Sequence, residues 1–432
     1  MRYVIINELY SMGGSEVQSL REMKVMRTHG HEVMYITFDP NFPEGPESEN
    51  RNHVNLVSSC KRISKKAYRM FTDPSLYKRL NKLLTDFNPD YIHVNNAVNN
   101  APAIYKAVGN FCTFQTIRDY GAVCPTGLCV GKEYKVCEGK RYHCCTLRCM
   151  PREKKPIFVY YNMVSGFVAR SRQRNIKLFV SPSQRLTEYC NTHGLPTICV
   201  NNPFDFSFLH NFQKELDRNK KTYLFYGFVA EHKGIRQLLN AFERFSQGKN
   251  CELLIAGKIS PDMRGEVKTL RSNIHYIGVK KYSEIIELLK KVYAVVVPSL
   301  WMENYPNTVL EGLCTECLVL ASDRGGMKEM IRDERFIFDV LDQSDIVSKL
   351  DFSYELSEEE YKEIVEGNLS YVKQNNSIET YYFRIMDVLR RLDTVKGTTE
   401  NAENNDTFAD ARNLMGGGRA TIQIPDREFQ CA

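Results

Sequence analysis

Two periods of hydrophobicity alternate along this chain. Short runs such as "YVIIN" (3–7), "CELLIAG" (251–257) and "YAVVVPS" (293–299) are apolar and rich in Val and Ile. Bounded by Gly, Pro or polar residues, such runs predict strands buried on both faces. Between them lie stretches whose apolar positions recur three and four residues apart, "SEVQSLREMKVMRTHG" (15–30), "KGIRQLLNAFERF" (233–245) and "SEIIELLKKV" (283–292). These predict amphipathic helices. The alternation comes in two series. The first has strands at 3–7, 31–38, 90–96, 112–117 and 177–183. The second has strands at 222–227, 251–257, 274–278, 293–299 and 317–323. Strand–helix alternation implies parallel sheets, so the fold class is α/β with two Rossmann-like halves. The switch falls in 201–221. We place an N-terminal domain at 1–203, a second domain at 204–376, and a last helix at 377–393 that packs back on the first domain. The polar, aperiodic 394–432 reads as a disordered tail.

Length and composition narrow the class. A chain of 432 residues suits roughly two to three domains. With 43% hydrophobic and 25% charged residues it is an ordinary soluble globular protein. No apolar run approaches the ~18–20 residues of a membrane span. The start, "MRYVIINELYSMGG", is too short and polar for a signal peptide and reads as a strand entering a glycine turn. A cytoplasmic location is expected. A net charge of +6 makes no case for nucleic acid.

The chemistry concentrates in "MENYPNTVLEGL" (302–313), which follows the strand 293–299. Proline is tolerated at a first helical position, so Pro306 is expected to open a helix through "NTVLEGLCTE". Ligands of open α/β sheets bind past the carboxyl ends of strands, where this helix starts. Its unpaired amides and dipole favour an anion. Glu303 in the loop and Glu311 on the helix then face one ligand. Carboxylates repel phosphate, so their partners are hydroxyls, and the inferred ligand is a phosphate-containing polyol. The plain reading of the same residues is two solvated surface glutamates.

Taken together, these segments resemble a GT-B retaining glycosyltransferase of the family 4 type, glycosyl transferases group 1, over residues 1–392. The main match is Glu303 to Glu329, "ENYPNTVLEGL…LVLASDRGGMKEM", which resembles the family's Glu-x7-Glu block followed by Gly-Gly-x-x-Glu. "SMGGSE" (11–16) resembles its early glycine loop, at Gly13 and Gly14. "GFVAEHKG" (227–234) resembles its lysine segment, at Gly227 and Lys233. The resemblance implies a nucleotide-diphosphate sugar as donor and a glycan or lipid-linked acceptor, in cell-surface polysaccharide biosynthesis. It implies Glu311 on the ribose and Glu303 on the transferred sugar. Lys233 and the helix start, with Asn304, Tyr305, Pro306 and Asn307, would hold the diphosphate. It implies no metal for catalysis. Two departures stand out. Phe228 occupies the family's arginine position, and "TIRDYG" (116–121) puts Arg118 where the family often has histidine. Arg118 either supplies a cleft cation, as a third catalytic residue beside Glu303 and Lys233, or pairs with Asp119 or another neighbour. The departures also leave open a degenerate protein that binds a nucleotide sugar or partner without turnover.

Two further features lie in the first half. "CPTGLCVGKEYKVCEGKRYHCCTLRC" (124–149) holds Cys124, Cys129, Cys137, Cys144, Cys145 and Cys149. In a reducing compartment clustered thiols suggest a structural zinc, with His143 as an extra ligand; reduced or disulfide-stapled loops are the alternatives. Basic stretches at 60–70 (Lys61, Arg62, Lys65, Lys66, Arg69) and 151–177 (Arg170, Arg172, Arg174, Lys177) suit an anionic membrane surface on the inner face, or a solvated basic face. No nucleic-acid recognition module accompanies them.

Overall fold

A computed structural model of the chain describes residues 1–10, 14–40, 42, 53–57, 73–97, 100–124, 127–137, 166–268 and 270–403. In the first half, β1 (Arg2–Ile6), β2 (Glu32–Thr37), β3 (His53–Asn55), β4 (Tyr91–Val94), β5 (Thr113–Thr116), β6 (Leu178–Ser181) and β7 (Thr197–Cys199) form one sheet, in the order 3-2-1-4-5-6-7. Around it lie α1 (Gly14–Thr28), α2 (Pro74–Phe87), α3 (Ala101–Val108), α4 (166–175) and α5 (Gln184–Thr192). In the second half, β8 (Lys221–Tyr226), β9 (Cys251–Ala256), β10 (Ile274–Tyr276), β11 (Ala294–Val297), β12 (Leu318–Ser322) and β13 (Ile337–Phe338) form a sheet in the order 10-9-8-11-12-13. Its helices are α6 (Ile235–Phe245), α7 (Arg264–Lys268), α8 (Tyr282–Lys291), α9 (Asn307–Cys314), α10 (Met327–Met330), α11 (Gln343–Glu355) and α12 (Glu358–Asn376), and α13 (Ile378–Glu403) follows.

Every pairing between these strands is parallel. That is why β11 and β12 are apolar on both faces: a parallel sheet is covered by helices on each side. In β1 the two faces are separate. Tyr3 and Ile5 point to one core and Val4 and Ile6 to the other, as the period of a strand requires. Each sheet reverses its winding direction once, between β1 and β4 and between β8 and β11. The carboxyl ends of strands at such switch points are where a crevice opens.

The last helix crosses back over the first sheet. Tyr381, Ile385, Val388, Leu389 and Leu392 of α13 share a core with Tyr3, Ile5, Tyr35 and Phe114. A buried carboxylate ties the same elements together. Glu22 of α1 accepts hydrogen bonds from Tyr3 Oη (2.7 Å) and Tyr381 Oη (2.7 Å), and lies 2.7 Å from His93 Nδ1. Burial alone would raise the Glu22 pKa; the His93 charge and the donated bonds outweigh it and hold the pKa below its ordinary value.

The short edge strands β3, β7 and β13, of two or three residues each, are not among those expected from the sequence, and three further details depart from the expectation. Pro306 is the N-cap of α9, with extended backbone (ψ 132°), not its first helical residue. The helix ends at Cys314, short of the expected Glu316. The final helix runs on to Glu403, so 394–403, expected in the tail, is helical. Once a helix is docked, each added residue contributes a hydrogen bond, and no proline interrupts this one. The remainder of the expected tail, 404–432, lies outside the described residues.

Candidate active site

The two switch points face each other across a cleft of about 560 Å³. On the second-domain wall, the exit of β8 leads through Gly227 to a short turn, Glu231–Lys233, that carries Lys233. Gly234 ends that turn at φ +72°, and a Cβ there would lie 1.7 Å from Pro298 O. Only glycine lets the Lys233 turn pack this closely on the exit of β11.

The β11 exit supplies Ser299, Trp301 and Glu303. The buried Glu303 carboxylate receives three donors on one oxygen: Lys233 Nζ at 2.6 Å, Ser299 Oγ at 2.7 Å and Trp301 Nε1 at 2.6 Å. Lys233 Nζ also sits 4.5 Å from the Trp301 ring centroid. Burial pushes the Glu303 pKa up, but Lys233 and these bonds pull it below its ordinary value, so the group is ionised. Glu311 is different. It is buried on α9, and Tyr226 Oη donates to it at 2.7 Å. Burial dominates here and pushes its carboxyl up to about 7. Two like residues thus hold different protonation tendencies, through environment alone. Between them the N-terminus of α9 opens on the cleft at Pro306, Asn307 and Thr308, with no side chain capping it.

The opposite wall belongs to the first domain. Gly14, Ser15 and Gln18 at the start of α1 line it, and the Gln18 and Asn307 carboxamides meet at 2.9 Å. Arg118 lines it too. Its Nε donates to Asn95 Oδ1 (2.8 Å) and one terminal nitrogen to Asn202 Oδ1 (2.7 Å). Both partners are neutral. Among the described residues no carboxylate lies at ion-pair distance, and Asp119 instead accepts the Gly121 amide at 2.7 Å. The expected alternative of an Arg118–Asp119 pair is not what forms.

The cleft therefore gathers Arg118, Gly14, Gly227, Lys233, Glu303, Asn304, Tyr305, Pro306, Asn307 and Glu311. Gly13 lies outside the described residues. Phe228, 43% exposed, lines the cleft, and His232 stands between it and Trp301, at ring distances of 6.2 and 5.2 Å. Sequence reasoning passed over Ser299, Trp301, Tyr226, Asn95 and Asn202. The one available signal was Trp301, the single tryptophan of the chain, two residues before Glu303.

Outside the cleft, Cys124, Cys129 and Cys137 are described, and Cys144, Cys145, Cys149 and His143 are not. Cys129 is buried in a left-handed conformation (φ 52°), and its backbone carbonyl accepts the Cys137 amide at 3.0 Å. The segment reaches the cleft, since Leu128 O accepts the Met302 amide at 3.2 Å. Among the described residues no three His, Cys, Asp or Glu side chains are arranged to hold a metal. Of the basic stretches, 60–70 lies outside the described residues. Arg172, expected on a basic surface, is buried: it donates to Ala122 O at 2.7 Å and lies over the Phe179 ring. Arg170, Arg174 and Lys177 are exposed. No helix among the described residues is long and apolar enough to cross a membrane.

Residues 207–368 match the family model of glycosyl transferases group 1. An uncharacterized glycosyltransferase, MJ1607 of Methanocaldococcus jannaschii, is 27% identical over 147 residues, 31% of this chain and 37% of that protein. An uncharacterized 42.6 kDa protein in the cps region of Klebsiella pneumoniae is 23% identical over 84% of this chain and 95% of its own length. The crystal structure of Anabaena Alr3699/HepE in complex with UDP and glucose superposes with a TM-score of 0.64 at 14% identity, covering 90% of this chain and 100% of that one. The architecture is that of the GT-B fold.

Proposed function

We propose that the protein is a glycosyltransferase that moves a sugar from a nucleotide-diphosphate donor with retention, without a catalytic metal; the match of residues 207–368 to the model of glycosyl transferases group 1, on a GT-B fold, supports it. One observation carries the reading. Two buried glutamates, one bound to lysine, flank an uncapped helix N-terminus at a cleft shared by both domains. Glu311 accepts the ribose hydroxyls. The α9 amides and Lys233 hold the diphosphate, and Arg118 approaches it from the opposite wall. Glu303 uses its second oxygen for a sugar hydroxyl, since the first is filled by Lys233, Ser299 and Trp301.

Catalysis is then positioning plus electrostatic stabilisation. As the glycosidic bond breaks, negative charge develops on the leaving diphosphate beside Lys233, Arg118 and the helix start. Positive charge develops at the sugar carbon near the ionised Glu303. The UDP and glucose held by HepE support a nucleotide-sugar donor. The relative in a cps region supports a glycan or lipid-linked acceptor of a surface polysaccharide.

Incubation with a panel of UDP- and GDP-sugars, with and without acceptors, tests the reading. Acceptor-dependent nucleotide release is expected. Binding without release in any combination would instead identify a degenerate, non-catalytic protein.

Two subsidiary proposals accompany this one. A structural zinc on the cysteine segment needs a ligand from His143, Cys144, Cys145 or Cys149, because the described residues alone supply no three-ligand group. Purified protein without zinc or iron would rule it out. Peripheral docking on anionic membrane would use the exposed Arg170, Arg174 and Lys177. Flotation showing no preference for anionic vesicles would rule that out.

A further inference from the structure

Glu329 does not line the cleft, yet it connects the two domains beside it. It sits on α10, directly after the Gly325–Gly326 turn. Its carboxylate leaves its own domain: Oε2 accepts the Gln184 amide at 2.6 Å and Oε1 the Arg185 amide at 2.6 Å. These are the first two amides of α5, in the first domain. Ser183, the N-cap of α5, takes the Leu186 amide on its own hydroxyl at 3.2 Å. The first turn of α5 is thus completed only by a carboxylate from the other domain. Such bonds are charge-assisted, and the helix dipole favours the negative group.

The same turn fixes the loop that carries Glu303. Gly326 N donates to Glu303 O at 2.9 Å. A Cβ on Gly325 would lie 1.8 Å from Glu303 O, and one on Gly326 1.9 Å from Asn304 O and 2.7 Å from Ser183 Cβ. The turn lies against the Glu303–Asn304 backbone with no room between. Asn304 in turn reaches the first domain: its Nδ2 donates to Arg118 O at 3.0 Å, and its Oδ1 accepts from Ser183 Oγ at 2.5 Å. The contacts close a ring from α5 through Glu329, the glycine turn and Glu303–Asn304 back to Ser183 and Arg118.

We propose that Glu329 is a positioning residue: an interdomain latch whose two bonds to α5 couple the closed packing of the domains to the placement of Glu303. Its catalytic consequence rests on the reading of the cleft as a sugar-donor site. Separation of α5 from α10 breaks both bonds and pulls on Asn304, next to Glu303. On that reading the nucleoside diphosphate is held mainly by Lys233, Glu311 and the start of α9, all on the second domain, and none of these groups is bonded to Glu329. Loss of the latch therefore lowers turnover more than nucleotide affinity.

Three variants of the full chain test this: Glu329→Ala, Glu329→Gln and Gln184→Pro. Gln184 is exposed, occupies the first helical position and follows an extended Ser183 (φ −132°, ψ 148°). Proline there keeps the helix and removes one donated bond. Glu329→Ala is expected to lower kcat about tenfold to hundredfold, leave UDP or GDP affinity within about twofold, and enlarge the radius of gyration in X-ray scattering. Glu329→Gln, which keeps one accepting oxygen, falls between. Gln184→Pro lowers kcat in the wild-type background and not in Glu329→Ala.

Wild-type kcat with a wild-type scattering curve in Glu329→Ala would overturn the proposal. So would a Gln184→Pro effect that adds in full to that of Glu329→Ala. Should Glu329→Ala fail to fold, Gln184→Pro decides. If the wild type neither binds nucleotide nor turns over any sugar donor, the donor-site reading has failed, and the scattering comparison still tests the latch.

Discussion

At the residue scale, the chemistry depends on giving one residue type two environments. Glu303 is pinned by a lysine, a serine and an indole and stays ionised. Glu311 has one phenol as partner and titrates near 7 because it is buried. The sign of the consequence is definite. With Glu311 as the proposed acceptor of the ribose hydroxyls, nucleotide affinity should fall as pH drops through about 7, measurable by calorimetry across pH 5.5–8.5. The folded-state pKa is raised above the unfolded one, so the folded state binds the extra proton between the two values. Stability from this site is therefore lost as pH rises through the folded pKa. Glu311→Gln should raise stability at pH 8 by up to about 3 kcal/mol while abolishing nucleotide binding, as read by melting with and without UDP or GDP. Arg118→Ala removes the first domain's cation from the cleft and leaves the Asn95 and Asn202 side-chain oxygens without this donor. It should cut kcat/KM about tenfold to hundredfold, and Arg118→Lys should restore little, because an ammonium cannot bridge both carboxamides in one plane. The spacing of the two glutamates was legible in the sequence. Their unequal titration was not, because burial and Lys233 come from distant parts of the chain.

At the scale of elements, α9 and α13 show what a local pattern can and cannot predict. The α9 start was visible from Pro306 after a β-branched run, since proline chemistry is local. Its role as cap and not first turn depends on one ψ angle. The α13 stripe of Tyr381, Ile385, Val388, Leu389 and Leu392 was visible as a helical period. The hydroxyl of Tyr381 was not visible as the third donor to a carboxylate buried 359 residues away in sequence. Tyr381→Phe keeps the ring and strands one oxygen of Glu22. The expected cost is about 1–3 kcal/mol, read as a drop in urea midpoint with unchanged slope.

At the scale of the whole molecule, the site exists only because two sheets put their switch points opposite each other. The chain crosses to the second domain after β7 and returns as α13, so the domains are joined twice. A chain ending at Ser377 would expose Tyr3, Ile5, Tyr35 and Phe114 on the first sheet. It should express as an aggregate or a molten species that binds a hydrophobic dye, whereas the full chain should not.

The amino-acid sequence by itself determined the main strands and helices, though not the short edge strands or every boundary. Its periods set the two strand–helix series, its prolines and glycines set the boundaries, Glu303 and Glu311 stood out because their spacing is local, and Lys233 stood out through its segment's resemblance to a family pattern. The tertiary structure decided which groups meet. Arg118 is bridged by Asn95 and Asn202, Lys233 fixes Glu303, Arg172 turns inward, and Glu329 holds α5 of the other domain. Each is a contact between segments brought together by sheet order and domain packing. Periodicity constrains which face of an element is buried. It carries no information about which distant side chain that face will touch.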